Sequence, residues 1–182
     1  MKLMIASDIH GSAFYCEKLL NAFNQENPQR LLLLGDLLYH GPRNDLPKDY
    51  APKKVISMLN AVKDKIICVR GNCEAEVDQM VLDFPVLSES LLMFLDDRLM
   101  FATHGHIYNE NKLPALQAGD VFLQGHTHVP VMKKEGGFLF INPGSVSIPK
   151  ENSEHSYMIY ENSCFTLKNL DGDKLADFNL LK

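Results

Sequence analysis

The first half of the chain alternates short apolar runs with amphipathic stretches. Apolar runs of this length, bounded by Gly or polar residues, are typical of buried strands. We predict such strands at residues 2–7, 29–35 and 66–70. The first helix is predicted after Ser12, a suitable N-cap, with apolar positions at Cys16, Leu19, Leu20 and Phe23. A second helix is predicted near 52–62, with Pro52 in its first turn. This β-α-β-α-β order implies a largely parallel sheet.

The second half is richer in strands and turns. Asp96-Asp97-Arg98 separates apolar runs at 91–95 and 99–103, and Gly136-Gly137 separates runs at 131–135 and 138–142, so both regions predict hairpins. Further strands are predicted at 157–160, 164–170 and 174–180. We therefore expect an α/β fold of two sheets packed face to face with helices outside. No repeat or linker interrupts the chain, which favours one domain over residues 1–182.

Five apolar runs each end in a residue type that binds metals. Since the carboxyl ends of neighbouring strands meet at one edge of a sheet, these residues are expected to converge there. Together they predict a metal site. The five fragments are Asp8-Ile9-His10, Gly35-Asp36, Gly71-Asn72, His104-Gly105-His106 and Gly125-His126-Thr127-His128.

Each fragment alone has an ordinary structural interpretation. A single Asp or Gly-Asn at a strand end is usually a cap or a turn, and a single His more often forms a hydrogen bond. Five fragments in this order, each after a strand, favour a metal centre instead. Carboxylate, amide and imidazole donors suit Mn²⁺, Fe²⁺, Zn²⁺, Co²⁺ or Ni²⁺. Asp8 and His10 can reach one ion, and His126 and His128 can serve two different ions.

Composition narrows the class of protein. The formal net charge is −5 and Lys and Arg are not clustered, which argues against binding of duplex nucleic acid. No apolar stretch approaches the length of a membrane helix, and the first apolar run is too short for a signal peptide. The four cysteines lack zinc-finger or redox-pair spacing, so we expect reduced thiols in a cytoplasmic protein.

These motifs, in this order, resemble the signature of calcineurin-like metallophosphoesterases. They are most similar to the small bacterial phosphodiesterases of the YfcE type, over nearly the whole chain. The resemblance is specific up to about Lys150 and looser beyond it. It rests on the stretches SDIHGS (7–12), HGPRN (40–44), VRGNC (69–73), THGH (103–106) and NPGSVSIPK (142–150).

The resemblance implies a four-layer α-β-β-α sandwich of two mixed sheets with flanking helices. It also implies that one ion is held by Asp8, His10, Asp36 and His128, and a second ion by Asp36, Asn72, His104 and His126. Members of this family are phosphodiesterases, typically active with Mn²⁺. We therefore expect hydrolysis of a small phosphodiester by a hydroxide that bridges the two ions.

One position departs from the wider family pattern. Cys73 follows Asn72 where the superfamily usually has a His that assists the transition state or the leaving group. A thiol is a poor proton donor and a weak hydrogen-bond donor, so we expect a preference for phosphodiesters with aryl-like leaving groups. The alternatives are that Cys73 is a thiolate ligand of a metal or a redox switch. The predicted catalytic residues are Asp36, Asn72, Cys73, His104 and His106.

Two further residues, Arg43 and His40, are candidates for substrate contact. Arg43 is suited to bidentate binding of a phosphate oxygen, against the alternative of a solvated loop residue. His40 and His106 are predicted either to face the substrate or to support the ligands. The stretch 142–147 is expected near the site, where its small residues permit tight packing.

Two other functions compete with phosphodiester hydrolysis. A phosphomonoesterase of the same superfamily would be expected to keep the His that Cys73 replaces. A non-catalytic scaffold of the same fold would be expected to lose metal ligands, and all eight ligand positions are filled here. Apolar strands in the second half are compatible with a homo-oligomer.

Overall fold

The computed structural model describes residues 1–181 and contains two β-sheets and three α-helices. The predicted boundary of the domain, Lys182, lies outside the described residues. In chain order the elements are β1 (Leu3–Ala6), α1 (Ala13–Glu26), β2 (Arg30–Leu33), α2 (Pro52–Asn60), a 3₁₀ turn (Lys63–Lys65), β3 (Ile66–Cys68), α3 (Glu76–Val81), β4 (Ser90–Leu95), β5 (Arg98–Thr103), β6 (Val121–Leu123), β7 (Pro130–Glu135), β8 (Phe138–Pro143), β9 (Ser156–Glu161), β10 (Cys164–Asn169) and β11 (Lys174–Asn179).

Both sheets are mixed, as the resemblance implied. The first has the order β11-β10-β9-β1-β2-β3, with β1, β2 and β3 parallel and β9 antiparallel to β1. The second has the order β4-β5-β6-β8-β7, in which β5, β6 and β8 are parallel and the two predicted hairpins form the edges. The three strands after residue 155 return to the first sheet, which the order of elements did not indicate.

Alternation along the strands separates two apolar layers. In β1, Leu3 and Ile5 point into the layer between the sheets, while Met4 and Ala6 pack beneath the helices. α1 and α2 bury Leu19 and Leu59 against that outer face of the first sheet. The two-sheet sandwich with flanking helices is thus confirmed.

The outer face of the second sheet is covered differently. It presents the aromatic side chains of Phe101, Phe122 and Phe140, which pack with Tyr108 and Leu113 of an irregular segment. In the described residues this segment occupies the place of an outer helix. Aromatic packing therefore buries this face without regular structure above it.

Most predicted elements are confirmed, with ends that differ from the predicted ones by one or two residues. Ser12 caps α1, since its hydroxyl accepts a hydrogen bond from the Tyr15 amide at 3.2 Å. α3 was missed because it spans only six residues and buries none of them, so it carries no helical periodicity. Among the described residues, no helix combines the length and the apolar character that crossing a membrane requires.

Candidate metal centre

The loops after five strands meet at one end of the layer between the two sheets. β1, β2 and β3 of the first sheet lead into Asp8, Asp36 and Asn72, and β5 and β6 of the second lead into His104 and His126. The sequence suggested the edge of a single sheet. Instead the two sheets contribute side by side, so the candidate site lies between them.

Five of the seven predicted ligands have a left-handed backbone. Non-glycine residues seldom adopt a positive φ, and such outliers concentrate at functional sites because tertiary contacts must hold them. Each turn redirects the chain immediately after its strand and aims a side chain across the gap between the sheets. The values of φ are 60° for Asp8, 48° for His10, 55° for Asp36, 65° for His126 and 62° for His128.

Gly71 permits the close approach of two of these loops. A Cβ atom at this position would lie 2.2 Å from Asp36 Oδ1 and 2.7 Å from Glu74 Oε2. Any side chain would therefore displace the Asp36 carboxylate. The small residue before Asn72 is required by the crowding of the centre.

The first group of donor atoms comes from Asp8, His10, Asp36 and His128. His10 Nε2 lies 3.5 Å from Asp8 Oδ1, 3.7 Å from Asp36 Oδ2 and 3.2 Å from His128 Nε2. His128 Nε2 lies 3.1 Å from Asp8 Oδ1. Donors bound to one ion at about 2.1 Å and at right angles are about 3 Å apart, so these separations suit a shared cation.

The second group comes from Asp36, Asn72, His104 and His126. His104 Nε2 lies 3.4 Å from Asp36 Oδ2, 3.1 Å from Asn72 Oδ1 and 3.1 Å from His126 Nδ1. Asp36 Oδ2 therefore contacts histidines of both groups. This is the position that a carboxylate bridging two ions would take.

Backbone carbonyls fix the proton on three of the histidines. Nδ1 of His10 donates to the Tyr39 carbonyl at 2.7 Å, that of His104 to the Leu34 carbonyl at 2.6 Å, and that of His128 to the Ile148 carbonyl at 2.7 Å. A carbonyl only accepts, so Nδ1 carries a proton, and Nε2, whose lone pair can bind a metal when the ring is neutral, points into the centre. Between His10 and His128 two such lone pairs face each other at 3.2 Å.

Buried charge makes this arrangement dependent on a cation. Asp8 Oδ1 is buried, and among the described residues it has no hydrogen-bond donor. Burial alone would favour neutral Asp8, but the adjacent imidazole rings of His10 and His128 outweigh it and hold the pKa of Asp8 well below its usual range. Facing lone pairs and an unpaired buried carboxylate oxygen are both satisfied by divalent cations, so the donor set fits two of them.

In the metal-free chain, protons compensate part of this charge. Burial opposes protonation of His104, yet the Asp36 and Asp8 carboxylates overcome it and raise the pKa of His104 to about 9. At His126, burial and the neighbouring His104 lower the pKa to about 4. The buried histidine thus holds a proton at neutral pH, whereas the half-exposed one does not.

Glu74 ties two ligand loops together, a role that the sequence reasoning missed. Its buried carboxylate accepts hydrogen bonds from the amides of Asp36 at 2.9 Å, Leu37 at 2.7 Å and Gly71 at 2.5 Å. The loop after β2 is thereby fixed to the loop after β3. Only the position of Glu74 next to Asn72-Cys73 could have signalled this.

The predicted small-residue stretch 142–147 supports the remaining loops. Ser145 and Ser147 donate their hydroxyls to the Asp8 carbonyl at 3.0 and 3.1 Å. Asn142 donates its amide to the Gly125 carbonyl at 2.9 Å, just before His126. Small polar side chains therefore position the ligand loops of both sheets.

A cavity of about 450 Å³ opens onto the centre and contains the predicted Arg43. Asp36, Asn72, Cys73, His126 and His128 line it together with Arg43 and Lys150. Lys150 was quoted in the sequence motif but given no role. Its basic side chain gives the cavity a second cation, beside Arg43, for an anionic ligand.

Cys73 lies at the centre, whereas His40 and His106 lie beside it. Cys73 Sγ is within 4.8 Å of donor atoms of His10 and Asp36, and its amide donates to Asp36 Oδ1 at 2.9 Å. The ring of His106 is 5.5 Å from that of His104, and the ring of His40 packs edge-on against Tyr50. Nδ1 of each of these two rings is buried without a partner among the described residues.

Comparison with known proteins agrees with this geometry. The chain matches the family model for the calcineurin-like phosphoesterase superfamily domain over residues 1–163. It is 49% identical over 167 residues to the phosphodiesterase YfcE of Escherichia coli K12, covering 92% of this chain and 91% of that protein.

Solved structures place the fold in the same family. The structure of the Escherichia coli phosphoesterase YfcE superposes with a TM-score of 0.96 at 47% identity, covering 99% of this chain and 100% of that one. A zinc complex of Vps29 from Entamoeba histolytica shares the fold with a TM-score of 0.64 at 20% identity, covering 99% of each chain. The chain belongs to the calcineurin-like phosphoesterase superfamily.

Proposed function

We propose that the chain is a metal-dependent hydrolase of small phosphodiesters. The observation that carries the proposal is the pair of donor groups that share Asp36 Oδ2, at distances suited to two cations. The 49% identity to a protein named as a phosphodiesterase supports the diester as substrate. All of the predicted ligands are present, which speaks against a non-catalytic scaffold.

In this proposal Asp8, His10, Asp36 and His128 hold one divalent cation, and Asp36, Asn72, His104 and His126 hold the other. When bound, the cations supply Lewis acidity that lowers the pKa of a water and offsets charge on the phosphoryl oxygens. The chain itself keeps the rings oriented through their Nδ1 hydrogen bonds. Arg43 and Lys150 would bind phosphate oxygens from the cavity side.

Oxygen and nitrogen donors suit Mn²⁺, Fe²⁺, Zn²⁺, Ni²⁺ and Co²⁺ alike, and we propose Mn²⁺ as the working metal because the family resemblance implies it. We propose that Cys73 is not a ligand, because the two groups already supply eight donor positions. Cys73→Ser is expected to retain both ions in metal analysis. Loss of one ion would instead identify the thiol as a ligand.

The leaving group lacks a strong proton donor in this site. Burial and the Asp36 carboxylate raise the pKa of Cys73, which therefore stays a neutral thiol in the metal-free chain. Burial and His104 lower the pKa of His106, so its ring is neutral at pH 7. Neither side chain is suited to protonate an alkoxide, which supports a preference for aryl leaving groups.

This preference gives a prediction at Cys73. The wild type should cleave an aryl diester, methyl 4-nitrophenyl phosphate, much faster than dimethyl phosphate. Cys73→His should raise the rate on the alkyl diester by about 10², the usual scale of general acid catalysis, and change the aryl rate less. Equal wild-type rates on both diesters would contradict the prediction.

Removal and return of the metal tests the function itself. Chelated protein should lose hydrolysis of bis(4-nitrophenyl) phosphate, and readdition of single metals should restore it, with Mn²⁺ the most effective. 4-Nitrophenyl phosphate, assayed in parallel, measures phosphomonoesterase activity. Chelated protein as active as the reconstituted protein would overturn the proposal.

The proposal also covers the cellular location, the substrate size and the oligomeric state. We propose a single domain that works in the cytoplasm, where the four free thiols stay reduced. The substrate is small, because a net charge of −5 does not favour duplex nucleic acid. Leu92 and Phe94, exposed on edge strand β4, support self-association into a homo-oligomer.

A further inference from the structure

A second cavity adjoins the metal centre and differs from it in chemistry. The catalytic cavity is lined by the metal-type donors, Arg43 and Lys150. The neighbouring one, of about 440 Å³, is lined mainly by apolar side chains. Cys73 lines both cavities, so they adjoin at this residue. We call the second one the apolar cavity.

Three segments build the apolar cavity. The loop after β2 supplies a buried floor and one exposed Tyr at the rim, a Tyr before α2 and two residues of α2 form a wall, and α3 forms the rest of the rim. A volume of this size lies within the usual range of small-molecule sites. The apolar residues that define it are Leu38, Tyr39, Tyr50, Ile56, Val77 and Val81.

The rim exposes apolar side chains that a free surface would not favour. Val77 is 59% exposed, Tyr39 43% and Val81 38%, while Leu38 beneath them is 6% exposed. Apolar groups at the mouth of a concave site gain free energy when a ligand covers them. The cavity is therefore suited to an apolar or aromatic group.

The charges around the cavity exclude an anionic occupant. Asp78 is the one charged residue that lines it, and its carboxylate already accepts a hydrogen bond from the Ala75 amide at 2.7 Å. No Lys or Arg lines it among the described residues. A second phosphate would gain no counter-charge here, whereas Arg43 and Lys150 offer two in the catalytic cavity.

Continuity with the metal centre determines what reaches the apolar cavity. Cys73 Sγ lies within 4.8 Å of donor atoms of His10 and Asp36. The carbonyl of Tyr39, which lines the apolar cavity, accepts the Nδ1 hydrogen bond of His10. A phosphate held at the centre can therefore extend one ester group past the small Cys73 side chain into the apolar cavity.

We propose that the apolar cavity binds an uncharged aromatic or apolar ester group of the substrate. The proposal rests on the proposed function and refines it, since it names the class of phosphodiester: one with at least one such arm. A phosphodiester whose two arms are both charged is a poor substrate by the same reasoning.

Binding of two phosphonates tests the proposal without any turnover. Phenylphosphonate and methylphosphonate share the anionic head and differ only in the arm. Calorimetry on the Mn²⁺-loaded protein should show that phenylphosphonate binds at least about tenfold more tightly, as expected for burial of an aromatic ring. Equal affinities, or binding of neither compound, would overturn the proposal.

Two variants of α3 test whether the tighter binding of phenylphosphonate arises at the apolar cavity. In Val77→Gln/Val81→Gln, the ratio of the two affinities should fall to about twofold or less. Met80→Gln is the matched control, since Met80 is 83% exposed on the same helix but does not line the cavity. Because both changes are neutral and exposed, folding and the affinity for methylphosphonate should not change. An equal ratio in the double variant and the control would contradict the proposal.

Two further measurements separate the alternatives. If the double variant dissociates an oligomer in sedimentation velocity and leaves the ratio unchanged, the face is an interface between copies and the proposal is wrong. Hydrolysis of bis(4-nitrophenyl) phosphate by the reconstituted wild type is assayed alongside. Its absence would overturn the proposed function, while the phosphonate ratio still reports on the cavity.

Discussion

The two donor groups share Asp36 but differ in their access to solvent. Asp8, His10 and His128 of the first group are at most 3% exposed. In the second group Asn72 is exposed and His126 is half-buried, and both line the catalytic cavity. A closed donor set retains a cation, whereas an open one leaves positions for substrate. We infer that the first position mainly holds its ion and the second mainly meets the phosphate.

Asp36→Asn should impair the closed and the open donor group alike, because both groups use this carboxylate. We expect metal content to fall from two ions towards none and activity to fall by at least about 10³-fold, since metal-ion stabilisation is worth several kcal/mol. Metal analysis after dialysis and steady-state rates measure both effects. Asp97→Asn, in an exposed turn, is the control and should match the wild type. A variant that keeps both ions would contradict a bridging role.

His126 and His128 provide a matched pair, since they are two residues apart in one loop but belong to different groups. His128→Ala should lose the tightly held ion, and His126→Ala should weaken only the open position, by more than the 10–100-fold that loss of an outer partner costs. Mn²⁺ titration followed by electron paramagnetic resonance measures the two affinities. Identical binding curves for both variants would show that the positions do not differ.

Glu74→Gln tests whether the loops that carry Asp36 and Asn72 must be held together. The amide nitrogen cannot accept the backbone hydrogen bonds, so metal affinity should fall by about 10–100-fold. The exchange coupling between two bound Mn²⁺ ions should change as well, because their spacing depends on these loops. Glu76→Gln, exposed at the start of α3, is the control. An unchanged coupling would reduce Glu74 to a purely structural residue.

A smaller effect on the affinity for the metal ions is expected from a change in pH. Since the pKa of His104 is raised to about 9 in the metal-free chain, a cation must displace its proton at neutral pH. Affinity should therefore rise by up to about tenfold per pH unit between pH 7 and pH 8.5. His126, whose pKa is lowered to about 4, does not contribute in this range. Calorimetry in buffers of different ionisation enthalpy counts the released protons, and a count of zero would contradict the prediction.

The sequence predicted the identity of the donor residues more completely than their place in the fold. Apolar runs located the strands, and a polar residue at each carboxyl end located Asp8, Asp36 and His104 without any structure. It did not reveal that two sheets share the site, because the two sheets meet there through contacts between residues far apart in the chain, such as Asp8 and His128.

Features without periodicity were also missed. α3 buries no side chain, so no apolar pattern marks it, although Val77 and Val81 form the rim of the apolar cavity. Glu74 acts through backbone amides that only the folded loops bring together. Lys150 lies beside the centre because of the path of its loop, which its residue type does not reveal.

The position of the donors between the sheets also concerns the folding of the chain. The first group joins Asp8 and His10 of the N-terminal sheet to His128, which follows a strand of the other sheet. A bound ion would therefore act as a reversible cross-link that closes a loop of about 120 residues. Because the unfolded chain cannot assemble these donors, free metal in the surroundings would set how firmly the two halves stay together. Depletion of the metal would then weaken the scaffold along with the chemistry.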